Sequence, residues 1–202
     1  MPAEARRSVK LPRMSETTIP PRVREILEAN PDAYSELVPR GGTPARAREV
    51  LEGISADQLF DRPVTSRVDA DGVLAGVWLW LDGLDESHQV VQSAQSGTLA
   101  FWHAIMHRRE GDFWNSKYWY ARCRNHPALA DLAPAANELL GAGSPALNDV
   151  LDSGHWDADG FVDLVERVHR KPASDPLRQA AVKLQRLEWE RLLASCATRA
   201  TR

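Results

Sequence analysis

The segment VLAGVWLWLDGLDESHQVVQSAQ, residues 73–95, carries the strongest fold signal in the sequence. On a helical wheel of about 100° per residue, its first half is apolar on nearly every side. Because a helix that is hydrophobic all round is buried, we expect a central helix here. Asp69 or Asp71 would cap that helix, which would continue to about Gln95.

The second half of this segment carries ionisable groups. Asp82, Asp85, Glu86 and His88 fall within seven positions. Burying such groups is costly unless they are paired or act as ligands. Two interpretations stay open: either the helix emerges into solvent after Leu81, or these groups line a cavity.

The rest of the sequence also has helical patterns. Helices are predicted, from their proline starts, glycine stops and apolar spacing, over residues 20–30, 43–54, 99–110, 115–124, 127–143, 161–170 and 176–197. The one candidate strand is DRPVTSRV, residues 61–68, and it is short. We therefore predict an all-α fold, a single-domain orthogonal or bundle-like helical arrangement around a central buried helix.

Length and composition set the domain organisation. The chain has 202 residues, of which 43% are hydrophobic and 26% charged, as expected for one folded domain. Residues 1–19 are basic, have little hydrophobic content and lack the apolar core of a secretory signal. We expect a disordered leader over 1–19 and a single helical domain over 20–202.

Charge and cysteine content narrow the classes of partner. The 25 Lys and Arg residues against 28 Asp and Glu give a net charge of −3, which argues against a dedicated nucleic-acid binder. No window approaches 18 uninterrupted apolar residues, so we expect no membrane partner. The two cysteines make no disulfide framework, and a reducing cytoplasm is the default location.

Three histidines form a candidate metal site. His103 and His107 are four residues apart, so both imidazoles point to one side of a helix, and Glu110 continues that stripe. His88 on the neighbouring helix would supply a third nitrogen, with Glu86 close by in sequence. The expected cofactor is a divalent ion, zinc or iron. The alternative is a hydrogen-bonded polar core without a metal.

A run of basic and aromatic residues follows. HRREGDFWNSKYWYARCRNHP, residues 107–127, interleaves five bases with five aromatic side chains, and five of the seven tryptophans lie between residues 78 and 119. Such a run can hold a small anionic or polyhydroxylated ligand, or it can be a solvated face held by ion pairs. The residues that we expect to bind substrate are Arg108, Arg109, Lys117, Tyr118, Trp119 and His126.

These segments together resemble a family. LDGLDESHQVVQS (81–93) and FWHAIMHRREGDFWNSKYWYARCRNHP (101–127) are similar to bacterial and fungal proteins that carry D-x-x-D-E-S-H, W-H-x-x-x-H-R-R-E-x-D, N-S-K-Y-W and H-P in succession. No activity is established for that family. The resemblance therefore implies no substrate and no cofactor, only that its motif residues form one unit: Glu86, His88, His103, His107, Arg108, Arg109, Glu110, Asp112, Asn115, Lys117, Tyr118, Trp119 and His126.

The first functional hypothesis is a metal-dependent enzyme acting on a small polar or anionic metabolite. In it, a metal held by the three histidines activates water, and Glu86 or Glu110 acts as the general base. A hydrolase or lyase fits this scheme, and an iron oxygenase is a variant. The alternative is a non-catalytic ligand-binding or structural helical protein. The sequence does not indicate the oligomeric state.

Overall fold

The computed structural model describes residues 19–202, and residues 1–18 of the predicted leader lie outside the described part. Ile19, which we assigned to the leader, is buried in the hydrophobic core. The helices in chain order are α1 (Pro21–Glu28), α2 (Ala45–Leu51), α3 (Arg67–Trp80), α4 (Leu84–Val91), α5 (Gly97–Glu110), α6 (Phe113–Tyr120), α7 (Pro127–Ala130), α8 (Leu132–Leu140), α9 (Leu147–Val150), α10 (Ala158–Val168) and α11 (Pro176–Ala200). A short 3₁₀ helix spans Ala56–Leu59.

The all-α prediction is confirmed. Strand structure within residues 19–202 is limited to an antiparallel hairpin of β1 (Leu151–Asp152) and β2 (His155–Trp156). The candidate strand at residues 61–68 is not formed: residues 61–66 are irregular, and residues 67–68 begin α3. In the described part of the chain, no helix is both long and apolar enough to cross a bilayer.

The central helix is shorter than predicted, because the expected continuous helix is two helices. The chain breaks at Asp82, whose φ of 61° is left-handed and cannot continue a helix. Gly83 follows with no room for a side chain, since a Cβ there would lie 2.6 Å from Trp78 Cε3. Helix α4 then folds back on α3, where the Ser87 hydroxyl donates to the Ala75 carbonyl over 3.1 Å. The prediction of one helix to Gln95 is therefore wrong.

Helix α3 is nonetheless central and buried, as predicted. It packs against α4, α5 and α11. Gly76 allows the close approach of α5, because a Cβ at this position would lie 2.7 Å from Trp102 Cη2. The indole of Trp189 on α11 donates to the Gly76 carbonyl over 2.8 Å. One glycine on α3 thus receives a tryptophan from each of two neighbouring helices.

Candidate metal centre

Helices α4 and α5 bring three imidazoles together. His88, His103 and His107 each offer a ring nitrogen, and these three atoms lie within 4.8 Å of one another. His103 and His107 stack, with ring centroids 4.7 Å apart, because they are one turn apart on α5. His88 reaches them from α4, with centroid distances of 4.9 Å to His103 and 5.4 Å to His107. The predicted convergence of the three side chains is present.

His103 is the buried member whose polar atoms are unsatisfied. The residue is only 3% exposed, and neither of its ring nitrogens has a hydrogen-bond partner within residues 19–202. Its ring lies flat against the indole of Trp119, at a centroid distance of 3.9 Å. Burial, together with the neighbouring His107 and His88, lowers the pKa of His103 to about 3. The imidazole of His103 is therefore neutral at pH 7, which is the protonation state that a metal ligand requires.

His107 is oriented by a carboxylate. Its Nδ1 lies 3.0 Å from Oε2 of Glu110. Because a carboxylate oxygen accepts, Nδ1 carries the proton and the lone pair of the neutral ring is on Nε2. Burial lowers the pKa of His107, against the opposing effect of Glu110. A carboxylate on the far nitrogen is the usual partner of a metal-binding histidine.

Helix α6 forms a wall of the centre. Asp112 caps it by accepting from the Asn115 N–H over 3.2 Å, and the Ser116 hydroxyl fastens it to the Ala104 carbonyl of α5 over 2.8 Å. Asn115 and Trp119, one turn apart, then face the imidazoles. The amide nitrogen of Asn115 lies 3.2 Å from Nε2 of His107. We gave Asn115 no individual role from the sequence, although its spacing of four from Trp119 was a usable signal.

The donor set fits a metal ion of the zinc type. Three neutral nitrogens from three histidines are a known catalytic zinc set, which leaves a fourth position for water or substrate. The iron variant requires two histidines and one carboxylate. Among residues 19–202, no carboxylate belongs to the group formed by His88, His103 and His107. The composition of the triad therefore favours zinc over iron.

The two predicted catalytic carboxylates lie in different places. Glu110 contacts His107, and its side chain is 52% exposed. Glu86 instead accepts from the hydroxyl of Thr43 and pairs with Arg48 at 3.4 Å. It borders a separate cavity that Trp78 also lines. Glu110 is thus the predicted carboxylate that contacts the imidazole cluster.

The predicted substrate-binding arginines are buried in ion pairs. Arg108 is fully buried and donates to Tyr120 and Glu188, and the Tyr120 hydroxyl donates to the same Glu188 carboxylate over 2.7 Å. Arg109 is also fully buried and pairs with Asp82 at 2.7 Å. Both guanidinium groups are engaged within the protein, where they tie α5 to neighbouring segments.

The other predicted substrate residues are dispersed. Lys117 pairs with Asp163 on α10. His126 is buried, its Nδ1 accepts from the Ala128 N–H over 3.2 Å, and its Nε2 lies 3.3 Å from the hydroxyl of Thr98. Burial, reinforced by Arg199, lowers the pKa of His126 to about 4. These contacts engage Lys117 and His126 in interactions within the protein.

Tyr118 and Trp119, the two predicted aromatic substrate residues, lie in different environments. Trp119 stacks on His103 and so borders the imidazole cluster. Tyr118 is 40% exposed, and its ring carries the guanidinium of Arg122 at 3.5 Å from the ring centroid. Trp114 stacks on the same tyrosine and is 76% exposed. The outer face of α6 is therefore an exposed aromatic surface next to the wall of the centre.

Comparison of the chain with protein-family models, with curated proteins and with solved structures gives no match.

Proposed function

We propose that this protein is a metal-dependent enzyme that acts on a small polar or anionic metabolite. His88, His103 and His107 would hold one divalent ion of the zinc type. The observation that carries the proposal is the buried ring of His103, whose two nitrogens have no partner in the described chain. A buried polar group without a partner costs stability, and a bound ion would satisfy one of these nitrogens.

The residues around the centre have distinct roles in this proposal. A zinc ion with three histidine ligands supplies a Lewis acid that makes bound water acidic at neutral pH. Glu110 would hold the proton on Nδ1 of His107, and the ion would take the lone pair of Nε2 in place of the Asn115 amide, which lies 3.2 Å from it. Because Glu110 lies on the nitrogen of His107 that faces away from the ion, and Glu86 is bound to Thr43 and Arg48, we assign Glu110 a positioning role and neither carboxylate the role of general base. Hydrolysis or elimination fits these groups better than oxygen chemistry does.

The structural alternative rests on the ring contacts. The flat stacking of Trp119 on His103, and of His103 on His107, would also stabilise a metal-free polar core. That protein would bind no metal and would have the same fold. Metal content therefore separates the two functions.

We also propose that the protein works in a reducing cytoplasm. Cys123 and Cys196 are both buried and unpaired. Burial raises the pKa of each thiol to about 12, so neither is a reactive thiolate at neutral pH. Two buried, unpaired thiols are consistent with core packing roles and do not require an oxidising environment.

The decisive experiment measures metal in protein purified without a histidine tag. We expect elemental analysis to find about one equivalent of zinc per chain, as one four-coordinate site holds one ion. His103→Ala and His107→Ala should each lose it while keeping the helical circular dichroism of the parent. His155→Ala, at an exposed histidine of the hairpin, is the matched control and should keep it. Folded protein that takes up no divalent metal, even after incubation with zinc, would establish the structural alternative.

A second experiment tests the enzymatic part. The zinc-loaded protein would be screened on small esters, amides, lactones and phosphate esters. Activity should disappear on chelation and return with zinc. Metal binding without turnover on any of these classes would instead support a ligand-binding role.

A further inference from the structure

A second cavity, distinct from the metal centre, lies between residues 36–40 and the segment that joins α10 to α11. Its volume is about 590 Å³. Its charged lining consists of four bases and one acid: Arg40, Arg170, Lys171, Arg178 and Glu36. We call it the basic cavity. Cavities of 300–1,000 Å³ are the usual size for small-molecule sites.

The charge of this lining is opposite to that of the whole chain. The protein has a net charge of −3, whereas the charged groups that line the basic cavity sum to +3, or to +2 when Asp175, the partner of Lys171, is included. Collecting like charges in one cavity is unfavourable unless an anion neutralises them. The fold therefore concentrates positive charge at this cavity, although the chain as a whole is negative.

Two of the four bases have no acidic partner. Arg178 pairs with Glu36 at 2.6 Å, and Lys171 pairs with Asp175 at 3.2 Å. Arg170 donates its Nε to Nε2 of His169, which is not an acid. Arg40 has no hydrogen bond or ion pair in the part of the chain that the structure describes. Arg40 and Arg170 are thus both available to an external anion.

Arg178 adds a fixed guanidinium group to the lining. Its side chain is 9% exposed and is held by Glu36, yet its Nε has no partner within residues 19–202. A guanidinium group fixed in this way loses little freedom when a ligand binds. The cavity therefore combines one immobilised arginine with two arginines that have no acidic partner.

We propose that the basic cavity binds a small molecule that carries phosphate groups, with a charge close to that of pyrophosphate. Guanidinium groups bind phosphate oxygens through pairs of parallel hydrogen bonds, and three of the four bases are arginines. Two arginines without an acidic partner, beside a third that Glu36 fixes, suit the several oxygens of a polyphosphate better than a single carboxylate. The proposal does not rest on the metal centre.

The test is calorimetric titration of the metal-free full-length protein with pyrophosphate. Metal is removed because pyrophosphate would chelate it. The Arg40→Ser/Arg170→Ser double variant changes exposed residues and should keep its fold. It should bind pyrophosphate at least about tenfold more weakly, because two charge-assisted contacts are lost. The matched control is Arg46→Ser/Arg62→Ser, which removes two exposed arginines outside the cavity. The control should bind within about twofold of the parent, because it changes only distant, solvent-screened charges.

Three results would overturn the proposal. The first is no heat of binding at millimolar pyrophosphate, and the second is an equal loss in both double variants, which would indicate general charge attraction. The third is tighter binding of citrate or of an oligonucleotide than of pyrophosphate. His103→Ala, which removes the proposed metal site, should leave pyrophosphate affinity unchanged. Failure of the metal proposal and failure of this one are therefore separable.

Discussion

The carboxylate of Glu110 lies 3.0 Å from Nδ1 of His107, nearly one turn further along α5. Because a carboxylate oxygen accepts, Nδ1 of His107 carries the proton, and Nε2 has the lone pair that the proposed metal site would use. The carboxylate side chain is half exposed, so it can be changed without disturbing the core.

Glu110→Gln should weaken zinc binding by about 10- to 100-fold, because the neutral amide no longer raises the basicity of His107. Competition with a chromophoric chelator would measure the affinity. Glu166→Gln, at an exposed glutamate on α10, is the control and should match the parent. Unchanged affinity in Glu110→Gln would mean that the contact only packs the helix terminus.

Trp119 should report metal binding directly. Its indole lies on His103, so a paramagnetic ion such as Cu²⁺ at the centre should quench its fluorescence. Trp119→Phe, which keeps a stacking ring, should lose most of the quenching. Trp114→Phe changes an exposed indole and should keep most of it. Equal quenching in the two variants would place the bound ion elsewhere.

Glu188→Ala should destabilise the protein strongly. Glu188 and Arg108 are both fully buried, so removing the carboxylate leaves an uncompensated charge in the core. Losing one partner of a buried pair costs about 3–5 kcal/mol. Urea unfolding would measure the loss, with Glu138→Ala on the surface of α8 as the control. A loss below about 1 kcal/mol, the value typical of surface pairs, would contradict the buried network.

Glu190 should make the stability fall as pH rises. It is 5% exposed, and burial raises its pKa from 4.5 to about 8 against the attraction of Arg186 and Arg191. The unfolded chain releases this proton near pH 4.5, whereas the folded chain keeps it until about pH 8. The free energy of unfolding therefore decreases across that window, by about 1.4 kcal/mol per pH unit at most.

Glu190→Gln should remove that decrease. The variant should be more stable than the parent by on the order of 3 kcal/mol at pH 8, and similar to it below pH 4.5. Denaturant unfolding at pH 4.5, 6 and 8 would show the difference. A gain that is the same at every pH would have a cause other than proton release.

The sequence predicted the part of the site that depends on helical spacing. His103, His107 and Glu110 share one helix, so their common direction follows from local geometry. The contribution of His88 was also predicted, although we placed it on one long helix that the structure divides into α3 and α4. Its approach depends on the left-handed Asp82, whereas the apolar pattern led us to predict a continuous helix.

The ion-pair partners of Arg108 and Arg109 could not be predicted from the sequence. Glu188 is 80 residues from Arg108, and nothing in local spacing links them. A basic and aromatic run is equally compatible with a ligand wall and with buried ion pairs. Tertiary packing decides between the two, and here it buries both arginines.

The turn at residues 81–83 also determines how many imidazoles meet in the cluster, and hence how many ligands the proposed site would offer an ion. In a straight helix, Ser87 would lie about 18 Å beyond Ala75, yet its hydroxyl reaches the Ala75 carbonyl. His88 joins the other imidazoles because the chain reverses before it. Gly83→Ala would place a Cβ 2.6 Å from Trp78 Cε3 and force that reversal open. X-ray absorption should then count two imidazole ligands instead of three, although all three histidines are still in the chain.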